Sequence, residues 1–294
     1  MLSRKVMEEI EQAQINELTE HIIYTKLAQK EKNRKNRKIL QSIAADEARH
    51  AAFWQKLTKK KASPNRWKIF LYFMISRIFG LVFGLKLMER GEDLAQTTYA
   101  RIGRSYPAAI SIKKDEQEHE KKIIGMIEEQ HLEYVGSIVL GLNDALVELT
   151  GALAGFTLAL QDSQLIALVG LITGIAASLS MAASEYLSMK EEQTTKQGET
   201  KSPLIASFYT GVAYIFTVTF LILPFLLLSS AVIALVCSLV IAVMIIFLFT
   251  FYTSVTNDLP FRRRFLRMAA ISLGVALLSF GIGFLVKMLF GIDA

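Results

Sequence analysis

Residues 135–160 read VGSIVLGLNDALVELTGALAGFTLAL, a run long enough to carry a helix across a hydrocarbon core roughly 30 Å thick. Its only charged residues are Asp144 and Glu148, four apart and so on one helical face. Working outward, residues 164–189, 204–228, 230–253 and 268–290 have similar length and apolarity, adding only Glu185 and Lys287 as charges. The reading is five helical membrane spans.

The charge distribution sets the boundary. Residues 1–132 hold 25 of the 33 basic and 17 of the 27 acidic residues, net +8, whereas residues 133–294 hold 8 basic and 10 acidic, net −2. A charged, cytosol-type domain over 1–132 therefore precedes a membrane domain over 133–294. With 52% hydrophobic residues and a positive mean hydropathy, the chain is neither disordered nor an ordinary water-soluble domain. One cysteine, Cys237, excludes a disulfide framework and a thiolate zinc site. Lys190, Lys196 and Lys201 follow the second span, and Arg262, Arg263, Arg264 and Arg267 precede the fifth. The opposite turns, 161–163 and the one near Ser229, carry no Lys or Arg. Positive loops prefer the cytoplasm, so the expected topology in the cell membrane has the amino terminus inside and the carboxy terminus outside. The chain starts without a basic patch and apolar core of the signal-peptide kind.

A carboxylate at mid-membrane costs about 2.5–3.5 kcal/mol on insertion scales, so Asp144, Glu148 and Glu185 call for a compensating cation or proton. Met181 stands four residues before Glu185, on the same face. Carboxylate oxygens with a thioether suit a divalent first-row metal, and cation conduction is the expectation. Lys287, near a span end, can snorkel to the interface. Gly151 with Gly155 and Gly170 with Gly174 allow close helix approach, within the bundle of spans or across a dimer seam.

Residues 1–132 show helical spacing of apolar residues and no strand alternation, so the whole chain reads as all-α. Four pairs at i, i+3 stand out: Glu17 and Glu20, Glu47 and His50, Glu89 and Glu92, Glu116 and His119. They are two repeats of one hairpin, ExxE then ExxH, with turns at 31–36 and 103–107. A helix from Glu20, a basic turn and a return helix to Glu47 have nearly equal arms, which brings both pairs of a hairpin to one level. All four pairs can then converge in a four-helix bundle around a di-iron or di-manganese site. Asp46, Asp115, Glu118 and His21 flank this motif, and His131 falls in the linker.

Residues 69–88, IFLYFMISRIFGLVFGLKLM, have nearly the length of a span. Arg77 in the middle and Trp67 with Lys68 at the start instead suggest a helix at the membrane interface or against a partner, continuing into the third bundle helix. The basic clusters 32–38 and 59–61 favour an anionic leaflet; nucleic acid is not expected, since no aromatic-interleaved patch accompanies them.

AADEARH (44–50), DEQEHEK (115–121), NELTEHIIYTKLA (16–28) and MERGEDLAQTTYA (88–100) resemble the ferritin-like and rubrerythrin group. That resemblance implies that Tyr24 and Tyr99 stand just outside the metal ligands and support them. It makes Glu17 and Glu92 direct metal ligands, with Glu20 and Glu89 as additional or alternative ones. LGLNDALVELTGALAGFTLAL (140–160) and GIAASLSMAASEYLSMKEE (174–192) resemble the vacuolar iron transporter family, and the fusion resembles membrane-bound ferritins. Implied are export of cytosolic Fe(II) or Mn(II) by exchange with protons, a homodimer, and pore-lining positions at Asp144, Met181 and Glu185, with Asn143 and Glu148 beside them. The short segment 190–202 lacks the long acidic insert of plant members. A membrane-anchored di-iron oxidase or peroxidase is the alternative. Five spans with buried carboxylates exceed what anchoring needs.

Overall fold

Asn33 turns the chain into its first hairpin in the computed structural model, which describes residues 4–90, 108–126, 134–195 and 202–290. Its side-chain oxygen accepts from the backbone N–H groups of Lys35 (2.8 Å) and Asn36 (3.2 Å), satisfying donors that the first helical turn leaves open. This cap separates α1 (Arg4–Lys30) from α2 (Arg34–Thr58). Among the described residues three further helices follow: α3 (Arg66–Ile78), α4 (Leu81–Arg90) and α5 (Ala108–Gly125). The chain divides into two compact units, Met1–Glu129 and Gln130–Ala294, and among the described residues neither contains a strand.

In the first unit each long helix buries one stripe. On α1 it runs Ile10, Ala13, then Ile23, Tyr24 and Leu27; on α2, Leu40, Ile43, Ala44, then Ala51 and Trp54; on α5, Ala109, Ile112, then Ile123. The gap in each stripe is filled by a buried polar pair: Glu17 and Glu20, Glu47 and His50, Glu116 and His119. Helical periodicity thus threads three polar levels through an apolar core.

The segment 69–88 departs from expectation. It is two helices and not one, because α3 stops at Ile78 and Gly80 takes φ of 100°, a left-handed backbone that glycine adopts without a side-chain clash. With 13 and 10 residues, neither α3 nor α4 reaches the length a span requires. A Cβ on Gly84 would lie 2.0 Å from Ser76 Oγ, so α3 and α4 touch where only glycine fits. Glu89 lies in the last turn of α4, whereas Glu92, Tyr99, His131 and the turn at 103–107 lie outside the described residues.

The second unit contains α6 (Val135–Leu160), α7 (Ser163–Thr195), α8 (Pro203–Leu227), α9 (Ala231–Thr256) and α10 (Phe261–Phe290). All five are long and apolar enough to cross a membrane. Helix ends and apolar ends do not coincide. Lys190 lies within α7, and Arg262, Arg263, Arg264 and Arg267 lie in the first turns of α10, instead of in loops. Hydropathy marks where lipid stops, while the backbone ladder continues into the polar layer.

Glycines set the closest approaches. A Cβ at Gly141 would sit 2.3 Å from Thr210 O, and one at Gly283 would sit 2.4 Å from Gly155 O. Gly151 and Gly155 face Val275 and Ser279 of α10; Gly170 and Gly174 face Leu153, Ile222 and Val218. These four glycines therefore serve packing within one chain, not the alternative of a dimer seam. Hydroxyls add interhelical bonds where hydrocarbon offers no other partner: Ser272 Oγ donates to Leu146 O (2.6 Å), Ser178 Oγ to Gly211 O (3.0 Å) and Ser238 Oγ to Leu221 O (2.8 Å).

Candidate metal centre

Glu17 on α1, Glu47 and His50 on α2, and Glu116 on α5 are all buried, and their donor atoms lie within 4.8 Å of one another. His119 joins them. Glu47 offers Oε2 to His50 Nδ1 at 3.5 Å and Oε1 to His119 Nδ1 at 3.1 Å. Glu116 does the same, with Oε1 at 3.2 Å from His50 Nδ1 and Oε2 at 3.6 Å from His119 Nδ1. Each of these two carboxylates therefore faces both imidazoles, one oxygen apiece. The ring centroids are 6.0 Å apart. Glu17 Oε2 lies 3.3 Å from His50 Nδ1 and completes that half of the cluster, while Trp54 Nε1 donates to Glu17 Oε1 at 3.1 Å.

The outer side of each imidazole is fixed by an aspartate. His50 Nε2 donates to Asp115 Oδ2 (3.2 Å) and His119 Nε2 to Asp46 Oδ2 (3.0 Å). A carboxylate can only accept, so the proton of the neutral ring sits on Nε2 and the Nδ1 lone pair points into the cluster. Both Nδ1 atoms and Glu47 Oε2 are buried without a hydrogen bond. Buried polar atoms rarely lack one, and their convergence without hydrogen-bonding geometry fits cations held between them. The donor set of carboxylate oxygens and imidazole nitrogens suits iron or manganese.

Without cations the cluster must carry protons instead. Burial opposes a charge on His119, but Glu116 and Glu47 outweigh it and its pKa is pushed up to about 10. For His50 burial is likewise overcome, here by Glu116, Glu17 and Glu47, and its pKa rises well above the usual range. Burial, with the like charges of Glu17 and Glu116, raises Glu47 above the carboxylate range. Burial acts against the Asp46 carboxylate too, yet His119 and Arg49 hold its pKa below the usual value.

The other expected residues fall around this cluster. Glu20 is buried but lines a cavity of about 40 Å³ with Asn16, Thr19, Ile23, Lys68, Tyr72 and Met88, so on α1 it is Glu17 that stands among the converging donors. Tyr24 OH donates to Glu89 Oε1 at 2.6 Å, linking α1 to the end of α4. The carboxylate that would match Glu17 on the His119 side, Glu92, is outside the described residues. Glu118 is exposed, and His21 Nδ1 donates to Ala44 O at 2.7 Å. Trp54 and Arg49 were not singled out from sequence. Trp54 follows His50 by four residues on the same face, a signal that could have found it.

In the membrane unit the candidate residues form levels instead of a knot. Ser137, Gly141, Asp144 and Glu148 share one face of α6. Glu185 of α7 accepts from Ser137 Oγ at 2.7 Å, near the start of α6. Asp144 lies roughly 10 Å further along the helix and Glu148 roughly 6 Å beyond that, by helical rise. They are the tenth and fourteenth of 26 residues and so bracket the middle of the span. Glu148 Oε2 accepts from Tyr214 OH of α8 at 2.8 Å. Met181 and Asn143 are half-buried, Met181 packing against the apolar core. Among the described residues Asp144, Glu148 and Glu185 do not form a tight ligand group; each stands at its own level. Ser137 and Tyr214 were not foreseen, although Ser137 precedes Asp144 by two helical turns on its own face.

A VIT family model matches residues 135–202, which contain the whole of α6 and α7 with Asn143, Asp144, Glu148, Met181 and Glu185. A VIT family domain is therefore present in a multi-pass, all-helical membrane region. No curated protein matches the chain.

Proposed function

From the VIT family domain at 135–202, we propose that this protein moves Fe(II), or Mn(II), out of the cytosol across the cell membrane in exchange for protons. The observation that carries the reading is the ladder of Glu185, Asp144 and Glu148 inside the matched segment, with two of its members at mid-span. A carboxylate brought into low dielectric prefers its proton, and a divalent cation reverses that preference, so both compete for the same oxygens. Loading from the neutral side displaces protons; protonation from the acidic side releases the metal. Met181 adds a thioether near the Glu185 level, and Asn143 adds an amide oxygen beside Asp144.

The first unit captures metal before transport. Glu17, Glu47, His50, Glu116 and His119, with Glu92 as the matching terminal carboxylate, would hold a ferritin-like di-iron or di-manganese pair, which supplies redox capacity when bound. Asp46 and Asp115 orient the imidazoles, Trp54 orients Glu17, and Tyr24 holds Glu89. The protein is read as a homodimer with its amino-terminal unit in the cytoplasm.

The test is metal flux in oriented proteoliposomes. An inward proton gradient is expected to accelerate Fe(II) or Mn(II) export, and Asp144→Asn to abolish that acceleration while the first unit keeps its metals. Export by Asp144→Asn at the wild-type rate with unchanged gradient dependence would show that Asp144 is structural.

A further inference from the structure

Helix α3 has two apolar faces, and among the described residues one of them is packed. Ile69 and Ser76 are buried and Tyr72 and Phe73 half-buried; at about 100° per residue these four form a single stripe turned toward α1 and α4. Trp67, Phe70, Leu71, Met74 and Ile78 fall within an arc of roughly 100° on the opposite side. All five are exposed, Trp67 by 68% and Ile78 by 64%, and Phe79 continues the patch at 52%. Six large apolar side chains in fourteen residues form a patch that a water-soluble surface does not sustain without an occupant.

The charges identify the occupant. Arg66 and Arg77 lie along one border of the exposed stripe and Lys68 along the other, all three exposed. There is no acidic residue in α3. Lys59 and Lys61, also exposed, precede the helix. An apolar stripe bordered on both sides by long basic side chains, with a tryptophan at its edge, matches the boundary between acyl chains and anionic headgroups. A second copy of α3 would place these basic borders against their like. Connectivity points the same way, since only residues 126–134 separate the end of α5 from the first membrane span.

We infer that α3 is an interfacial helix that lies in the surface of an anionic bilayer, with Trp67, Phe70, Leu71, Met74 and Ile78 among the acyl chains and Arg66, Lys68 and Arg77 at the phosphates. The inference rests on the membrane-spanning unit and not on what that unit transports. Tyr72 of the opposite face and Lys68 of the border also line the small cavity at Glu20.

The protein carries its own probe, since its two tryptophans are Trp54, fully buried, and Trp67. The full chain is reconstituted into phosphatidylcholine–phosphatidylglycerol vesicles whose acyl chains are brominated near the headgroup. Emission is expected to be quenched relative to unbrominated vesicles, and Trp67→Phe is expected to remove that quenching while the Trp54 emission persists. Arg66→Gln with Arg77→Gln, or phosphatidylcholine alone, is expected to weaken it. Quenching that is absent in the wild type, or unchanged in Trp67→Phe, overturns the proposal. So does a blue-shifted, unquenched Trp67 accompanied by cross-linking between copies at position 74, which would assign the face to a second copy of the chain.

Discussion

Both units carry carboxylates on their helices, yet Met1–Glu129 gathers buried ones and Gln130–Ala294 strings out half-buried Asp144 and Glu185 and exposed Glu148. In the first, Glu17, Glu47 and Glu116 meet two imidazoles in one buried cluster with donor atoms within 4.8 Å. In the second, Glu185, Asp144 and Glu148 occupy successive levels, and the outer two each accept a hydroxyl. Convergent donors deepen one well and suit retention. Separated donors make several shallow wells and suit transit, because an ion that binds everywhere weakly can also leave. The same residue type is thus arranged in two ways, set by spacing along the helix and across neighbours.

The largest expected effect breaks the first half of this comparison. Glu47→Ala with Glu116→Ala removes both carboxylates that face the two histidines, and bound metal in the first unit is expected to fall from two ions per chain to none by elemental analysis. Two ions retained would place the centre elsewhere. Gradient-driven flux through the membrane unit, measured on the same variant, is expected to survive at reduced cytosolic metal supply.

A second test uses pH. Metal-free, the folded state holds His119 protonated up to about 10 against an ordinary value of 6.5. A raised folded pKa stabilises below the unfolded pKa, and the contribution is lost as pH climbs from 6.5 toward 10. A metal must displace that Nδ1 proton, so affinity of the first unit is expected to rise across the same window, by up to about tenfold per pH unit for each proton released. Calorimetry in buffers of different ionisation enthalpy checks it. Affinity independent of pH between 7 and 9 would mean that no such proton is displaced.

The smallest effect concerns the strung-out half. Tyr214→Phe removes the hydroxyl that donates to Glu148, a loss of about 1 kcal/mol for a net hydrogen bond, or roughly fivefold in an affinity. The apparent metal affinity of transport is expected to shift by that order while maximal flux changes less. An effect as large as that of Asp144→Asn would indicate that Tyr214 itself takes part in proton movement.

What the sequence carried was periodicity and charge. The i, i+3 pairs at Glu47 and His50 and at Glu116 and His119, lying in register with buried apolar positions, could only face a core if the helices formed. Apolar runs of span length likewise left no fold other than helices, because hydrocarbon offers the backbone no outside partner. The break at Gly80 was not legible, since the positive φ there follows from α3 and α4 packing at Ser76 and Gly84 and not from any local run of turn residues. The choice between Glu17 and Glu20 also needed the fold: both share one face of α1, and the positions of Trp54 and His50 on α2 decide which carboxylate stands in the cluster. Tyr214 met Glu148 through a contact 66 residues apart, which no spacing rule along one helix can supply. The sequence alone therefore determined the helices, their buried faces and the candidate donors, because those depend on neighbours within one or two turns. Only the tertiary structure decided which donors meet, which stay apart and which face of α3 is left uncovered, because those depend on helices brought together from distant parts of the chain.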